Sequence, residues 1–446
     1  MPIGTGKTAL INFIYQKKKD RALLFNYIDI RDSNSTSEMQ NFASNFCEKT
    51  TLDDMTFEVN FSNNWELFIV KTIVYYAKYK NKELIKQNND FKKIYALLYG
   101  CYGDNYLRII PRYKKGSFEI LNKNKFLEEE FQTETLINAK AYYKKIYDLF
   151  YKLKFNNEKG LYLIFDELNI SLSNPIALER QKLLIESLIK TISRLNKQFK
   201  DERKNIFIIS SFRSEIKNII CGDELNKKIV DYGIELKWNN FLSKPLENPL
   251  IKLMLKRFIK LDSEESTENK VWEDWFSKEK TPEKWASYIL KYTWKKPRDL
   301  ILLFIKMKEK YGNSNIITKD VMRGSLSQYA IESWAEIKES LTIECKVDEI
   351  NFITKVIINL KNKFYFTDFV KIKNKILSEY SNEFKDIKIR DDKYYLELMY
   401  RYGIIGIKEK NISEINYFHS GKNYNILNNE YYVVHLGISV GRNYLC

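Results

Sequence analysis

The sequence predicts an α/β fold: a parallel sheet with helices on it, then a helical lid, then a small mixed C-terminal domain. Three observations lead to it. Short, continuously apolar runs at 22–30 (ALLFNYIDI), 161–168 (LYLIFDEL) and 205–211 (NIFIISS) alternate with helical patterns. Buried strands that alternate with helices build parallel sheets. Past residue 245 the apolar spacing becomes helical, and the last hundred or so residues return to a mixture of helices and short β runs.

Residues 1–19 read as a glycine-rich loop running into a helix, with Leu10, Phe13 and Ile14 at helical spacing. The 22–30 run is a buried strand. The stretch 33–160 is mostly helical, clearest at Trp65 to Tyr79 and Ala139 to Leu153. It is too long for a loop and reads as a helical insertion. Residues 161–168 form a strand that ends in two acids. Asn174-Pro175 starts a helix over 176–199. The 205–211 run is a further strand, and GIELKW at 233–238 is expected to be another. Helices follow at 248–261, 282–292 and 297–311. In the tail, helices are expected at 347–360, 367–380 and 391–402, with Thr367-Asp368 as an N-cap. Strands near 404–408, 415–419 and 431–436 come next. Three helices followed by a β-wing predict a winged-helix-like domain. The expected domains are therefore a core at 1–245 with its insertion at 33–160, a lid at 246–335, and a winged-helix-like domain at 336–446.

The chain has 446 residues, 44% of them hydrophobic, enough for packed cores in more than one domain. No run of about 18 apolar residues predicts a membrane span. Lys7 and Thr8 arrive before a signal-peptide core could form. The five cysteines are widely separated and read as reduced thiols of a cytoplasmic protein. Two histidines argue against a histidine-built metal site or triad. The net charge of +16 favours an anionic partner, nucleotide or nucleic acid. Lysine enrichment throughout the chain gives the same charge without any binding site.

Four motifs carry candidate chemistry. Gly4-Thr5-Gly6-Lys7-Thr8 has the end of a phosphate-binding loop, G-x-x-x-x-G-K-[ST]. Its backbone N–H groups and the start of the following helix would hold phosphates, with Ala9 next in line. Lys7 would reach the β- and γ-phosphates of ATP, and Thr8 would hold Mg²⁺. The pattern's first glycine position is occupied by Met1, and no apolar strand precedes the loop. The expectation drawn from this is a misassigned start codon or a truncated chain. The strand 161–167 delivers Asp166 and Glu167 at its C-terminal end. There Asp166 would serve Mg²⁺ and Glu167 would polarise the attacking water. Ser210, Ser211 and Arg213 end the next strand, where a polar group can sense the γ-phosphate and an arginine can add charge. Lys296-Pro297-Arg298-Asp299 opens a helix, with Arg298 on its first turn.

Together these motifs resemble the AAA+/STAND branch of P-loop ATPases: GTGKT at 4–8 as Walker A, LIFDE at 163–167 as Walker B, IISSFR at 208–213 as sensor 1, and KPRDL at 296–300 as sensor 2. The resemblance covers roughly residues 1–32 and 160–310, and the tail is similar to the winged-helix ending of bacterial members. It implies ATP and Mg²⁺ as cofactors and Glu167, Lys7 and Arg213 as catalytic residues. It also implies a nucleotide site made by Gly4, Thr5, Gly6, Lys7, Thr8, Ala9, Asp166, Ser210, Ser211 and Arg298. A homo-oligomer is implied too, with an arginine finger from a neighbour; Arg180, Arg194 and Arg203 are candidates. Members act as nucleotide switches, many in antiviral defence. The alternative is a DNA-binding ATPase that uses the winged helix, with Lys371, Lys373, Lys375, Lys385, Lys388 and Arg390 as phosphate contacts. A third reading is a nucleotide-binding scaffold that does not hydrolyse.

Overall fold

The computed structural model describes residues 4–26, 54–104, 107–114, 117–133, 135–168, 175–212, 223–236, 238, 244–262, 266–312, 316–342, 344–385, 390–409, 415–418, 431–442 and 445. The expected strand residues 27–30 lie outside them, as do Arg213, Lys388 and His419. The chain forms two units, Lys7–Ile234 in one and Met1–Gly6 with Glu235–Cys446 in the other.

In the Lys7–Ile234 unit, α1 (Lys7–Lys17) leads into β1 (Ala22–Asn26). Helices α2 (Asp54–Tyr79) and α3 (Asn89–Tyr102) follow. Then come β2 (Tyr113–Lys114), β3 (Ser117–Glu119), α4 (Lys125–Phe131), β4 (Leu136–Asn138) and α5 (Ala139–Lys152). The unit ends with β5 (Leu161–Leu168), α6 (Pro175–Asp201), β6 (Ile206–Phe212) and α7 (Asp223–Tyr232). β1, β5 and β6 form a parallel sheet in that order. Its two faces separate by the period of two. Phe25, Leu161, Leu163, Phe165, Ile206 and Ile208 pack with α2, α5 and α6, whereas Ala22, Leu24, Tyr162, Ile164 and Ile209 lie under α1.

The expected insertion is thus part of the sheet's own core. Trp65 and Phe68 of α2 meet Phe165 at ring-centroid distances of 6.1 and 6.2 Å, and Phe25 stacks on Phe165 at 5.4 Å. The antiparallel trio β2-β3-β4 inside it was not expected; its strands are only two or three residues long, too short to show alternation. The α1 reading also needs correction. Ile11, Ile14 and Tyr15 make the core contact, while Leu10 and Phe13 are exposed. The expected strand at 233–238 is absent: residues 233–236 and Trp238 are neither helix nor strand, and Ile234 is exposed. An alternating apolar pattern makes a strand only where a neighbour takes its hydrogen bonds. Here the Trp238 indole N–H instead donates to the Thr5 carbonyl. The outer edge of β6 is closed at one point by Asn196 of α6, whose side-chain amide bonds both the N–H and the C=O of Ile208, at 2.9 and 2.8 Å.

The other unit continues with α8 (Pro249–Asp262), α9 (Glu268–Trp275), α10 (Pro282–Tyr292), α11 (Pro297–Tyr311) and α12 (Lys319–Leu341). Next are α13 (Val347–Asn359), β7 (Lys363–Phe364), α14 (Phe366–Glu379), α15 (Asp392–Arg401), β8 (Ile405–Lys408), β9 (Tyr431–Val434) and α16 (Leu436–Ser439). β9 pairs antiparallel with both β7 and β8. The three helices and the strands β8 and β9 appear where the tail pattern put them, but β7 was not expected, and of the strand expected near 415–419 the described residues show only a single bridge from Asn416 to Ile407. The N-cap of α14 is Tyr365, two residues ahead of the expected Thr367, and Asp368 accepts a hydrogen bond from the Tyr365 N–H at 2.9 Å. The expected boundary at 335/336 falls inside α12. One hydrophobic core, from Leu250 to Leu445, serves both sides of it.

Phe165 is fully buried among Phe25, Trp65 and Phe68. Phe165→Ala is expected to cost about 3–5 kcal/mol of unfolding free energy, measured by denaturant titration. A loss under about 1 kcal/mol would show that α2 is not packed on the sheet.

Candidate functional site

The site begins with the alternation along three strands. Asn26, Asp166 and Ser211 follow Leu24, Ile164 and Ile209 by two residues each, so all three sit on the α1 face at the C-terminal end of the sheet. Asn26 pairs in register with Asp166, and the Ser211 hydroxyl donates a hydrogen bond to Asp166 Oδ1. Asp166 is buried. The next residue, Glu167, has φ +57, in the left-handed region that a non-glycine residue adopts at a cost. Beyond Phe165 the register of β5 and β6 shifts. Glu167 Oε2 accepts a bond of 3.0 Å from the Asn26 side-chain amide. Ser210, one residue before Ser211, alternates to the opposite face and is not brought to Asp166.

Helix α1 runs against the direction of β5. Lys18, just past its C-terminal end, lies 5.6 Å from the Tyr162 ring centre near the start of the strand, while Ile11 packs with Ile164. From Ile11 back to Lys7 the helix rises about 6 Å. From Ile164 on to Asp166 the strand advances about 7 Å. Lys7 and Thr8 therefore open α1 at the same end of the sheet as Asp166. The positive dipole end of the helix is there too. Thr8 and Ala9 are exposed and Lys7 is half-buried. Among the described residues no cluster of three or more His, Cys, Asp or Glu could hold a metal alone. The hydroxyl of Thr8 and the carboxylate of Asp166 are hard oxygen donors, which suits Mg²⁺ completed by water and phosphate.

Of the arginine-finger candidates, Arg194 is bound to the buried Glu66, which also accepts from Tyr151 at 2.9 Å. That is a structural role. Arg203 is exposed at the turn after α6, with φ +54. The side chain of Arg180 is outside the described set.

In the other unit, Gly4, Thr5 and Gly6 lie against the start of α11 and Trp238. Arg298 N–H donates to the Gly4 carbonyl at 3.2 Å, and Trp238 Nε1–H to the Thr5 carbonyl at 2.8 Å. Gly4 and Gly6 have φ +82 and +86. A Cβ on Gly4 would come within 2.7 Å of Arg298 Cβ, so glycine is required there on both counts. The Arg298 side chain is ion-paired with Glu336 at 2.8 Å. Next to it Asp299 is buried, its Oδ2 lacks a hydrogen-bond partner, and burial pushes its carboxyl up to about 6 against the pull of Lys296. Sequence reasoning missed Asn26, Trp238 and Glu336. Asn26 had a signal, as the first polar residue after ALLF in a period of two. The other two had none, because their partners are distant in sequence.

Residues 248–338 match the family model described as a FunZ-associated C-terminal helical domain. The FunZ-associated stretch takes in α8 to α11 and most of α12, and so includes Arg298, Asp299 and Glu336. It covers well under half of the chain. No curated protein and no solved structure matches the chain.

Asp299 sits in this FunZ-associated stretch and supplies a pH test. Its folded pKa lies above the ordinary 3.8, so the folded state holds the proton more tightly, and the stability it contributes is present at low pH and lost as pH rises toward 6. Asp299→Asn should raise unfolding stability at pH 7.5 by an amount on the order of 2–3 kcal/mol and give little or no gain at pH 4. A gain of the same size at both pH values, in paired melts, would contradict the buried-carboxyl account.

Proposed function

We propose that the chain is a Mg²⁺-dependent ATP-binding and hydrolysing protein of the AAA+/STAND kind, acting as an oligomerising switch or motor. One observation carries the reading. Asn26, Asp166 and Ser211 form a polar row at the end of a parallel sheet, level with the N-terminus of the helix that Lys7 and Thr8 open. Ligands of parallel α/β sheets bind at the carboxyl ends of the strands, and phosphates bind at helix N-termini.

In this reading the loop amides and Lys7 bind the phosphates and hold the terminal phosphoryl group in place. Thr8 and Asp166 hold Mg²⁺, whose bound charge offsets that of the phosphates. Ser211 fixes the Asp166 carboxylate. Glu167 polarises the attacking water and must first leave the Asn26 amide that now occupies it. The Arg298 side chain is engaged by Glu336. ATP-driven assembly, a cytoplasmic setting and a part in antiviral defence extend the same family likeness.

The DNA-binding alternative draws on the order helix, strand, two helices and two strands in 347–434, which is that of a winged helix. Its cations are partly used up. Lys373 is bound to Asp392, Lys375 pairs with Glu379 at 3.6 Å, and Arg390 lies on Tyr394 and 3.6 Å from Glu349. Lys371 and Lys385 remain exposed. Duplex DNA binding whose affinity falls steeply between 50 and 200 mM salt (about tenfold or more) would favour it.

Lys7→Ala is expected to abolish MgATP binding in calorimetry. Glu167→Gln should keep binding within a few-fold and lower turnover by about 10²-fold or more. Turnover of Glu167→Gln at the parental rate would remove Glu167 from the water-activating role.

A further inference from the structure

We infer that Trp238 is a positioning residue that sets the phosphate loop in its anion-accepting form; this rests on the reading of residues 4–8 as that loop. A trans peptide is planar, so a carbonyl and the N–H that follows it point in opposite directions. The Gly4 carbonyl is held by the Arg298 N–H, which turns the Thr5 N–H away from α11. The Thr5 carbonyl is held by the Trp238 indole at 2.8 Å, which turns the Gly6 N–H away from the indole. Thr5 is buried between two glycines in left-handed conformation. Successive N–H groups in turns of this kind form a concave anion nest.

The two holding bonds differ in what they allow. The Arg298 bond comes from main chain and survives any side-chain change short of proline. The Trp238 bond comes from a side chain that donates and cannot accept. An indole can therefore hold the Thr5–Gly6 peptide with its carbonyl inward and its N–H outward, and cannot hold the flipped form. The ring also lies 3.8 Å from the position a Gly6 Cβ would take, so it braces the loop where the chain is least constrained. Loss of the donor lets the peptide flip, and each flipped loop presents a carbonyl to the phosphates in place of an N–H.

The test uses the full chain and two probes, MgATP and Mg-tripolyphosphate, which carries the phosphates without a base. Trp238→Phe keeps the ring packing and removes the N–H; both probes should bind about tenfold more weakly, with the melting temperature little changed. Trp238→His, which returns a ring N–H, should recover part of the loss for both. The proposal is overturned if Trp238→Phe binds both probes as the parent does, or if His and Phe variants are equally weak. It is also overturned if only MgATP is weakened, since the indole would then act on the base. If the parent binds neither probe, or Lys7→Ala binds both as tightly as the parent, the phosphate-loop reading itself fails and takes this one with it.

Discussion

Everything at the candidate site depends on how the α1-facing side of three parallel strands changes from apolar to polar. Two rows of apolar residues, Ala22-Tyr162 and Leu24-Ile164-Ile209, give α1 its seat. The next row is Asn26-Asp166-Ser211. Because strand alternation is rigid, the chain cannot bury the first two rows without presenting the third at the end of the sheet. The opposite face is aromatic and closed by α2, α5 and α6, which fixes the strands in register. Asp166 is therefore held by packing well away from it, and its own hydrogen bond to Ser211 completes the placement.

Asp166 in that row and Glu167 after it have different surroundings, which match the different roles proposed for them. Asp166 is buried and fixed by a hydroxyl, which suits the metal-binding role proposed for it. Glu167 stands on a left-handed turn, where its partner is a neutral amide from the neighbouring strand. A neutral partner is easier to leave than a cation. The strained backbone keeps the side chain apart from the sheet's core. In the other unit a similar division appears around α11. The main chain of Arg298 holds Gly4, its side chain is engaged with Glu336, and the buried Asp299 behind it is only weakly satisfied.

Much of this was legible in the sequence where the signal was local. The strands at 161–168 and 206–212 and the helix after Asn174-Pro175 followed from continuous apolar runs and proline at the first turn. The helices of 249–311 and of the tail followed from period alone, with the short α9 and the long α12 left out. What was not legible was non-local. Leu10 and Phe13 match a helical pattern as well as Ile11 and Tyr15 do, and only the sheet decides which face is inside. Ser210 and Ser211 look alike until the register of β6 assigns one to each face. Trp238 sat in an apparent strand because nothing in its neighbours announces a bond to Thr5, 233 residues earlier in the sequence. The border expected at 335/336 falls inside α12, and the core that runs on both sides of it is made by residues far apart in sequence.

The central claim is that Lys7-Thr8 and Asp166-Glu167 act on one magnesium-bound triphosphate. A structure determined with Mg²⁺ and a non-hydrolysable ATP analogue tests it most directly. The account predicts one metal ion bonded to the Thr8 hydroxyl at about 2.1 Å, with the Asp166 carboxylate bound to it directly or through one of its waters. A triphosphate bound elsewhere, or a metal ion beyond the reach of Asp166, would contradict it.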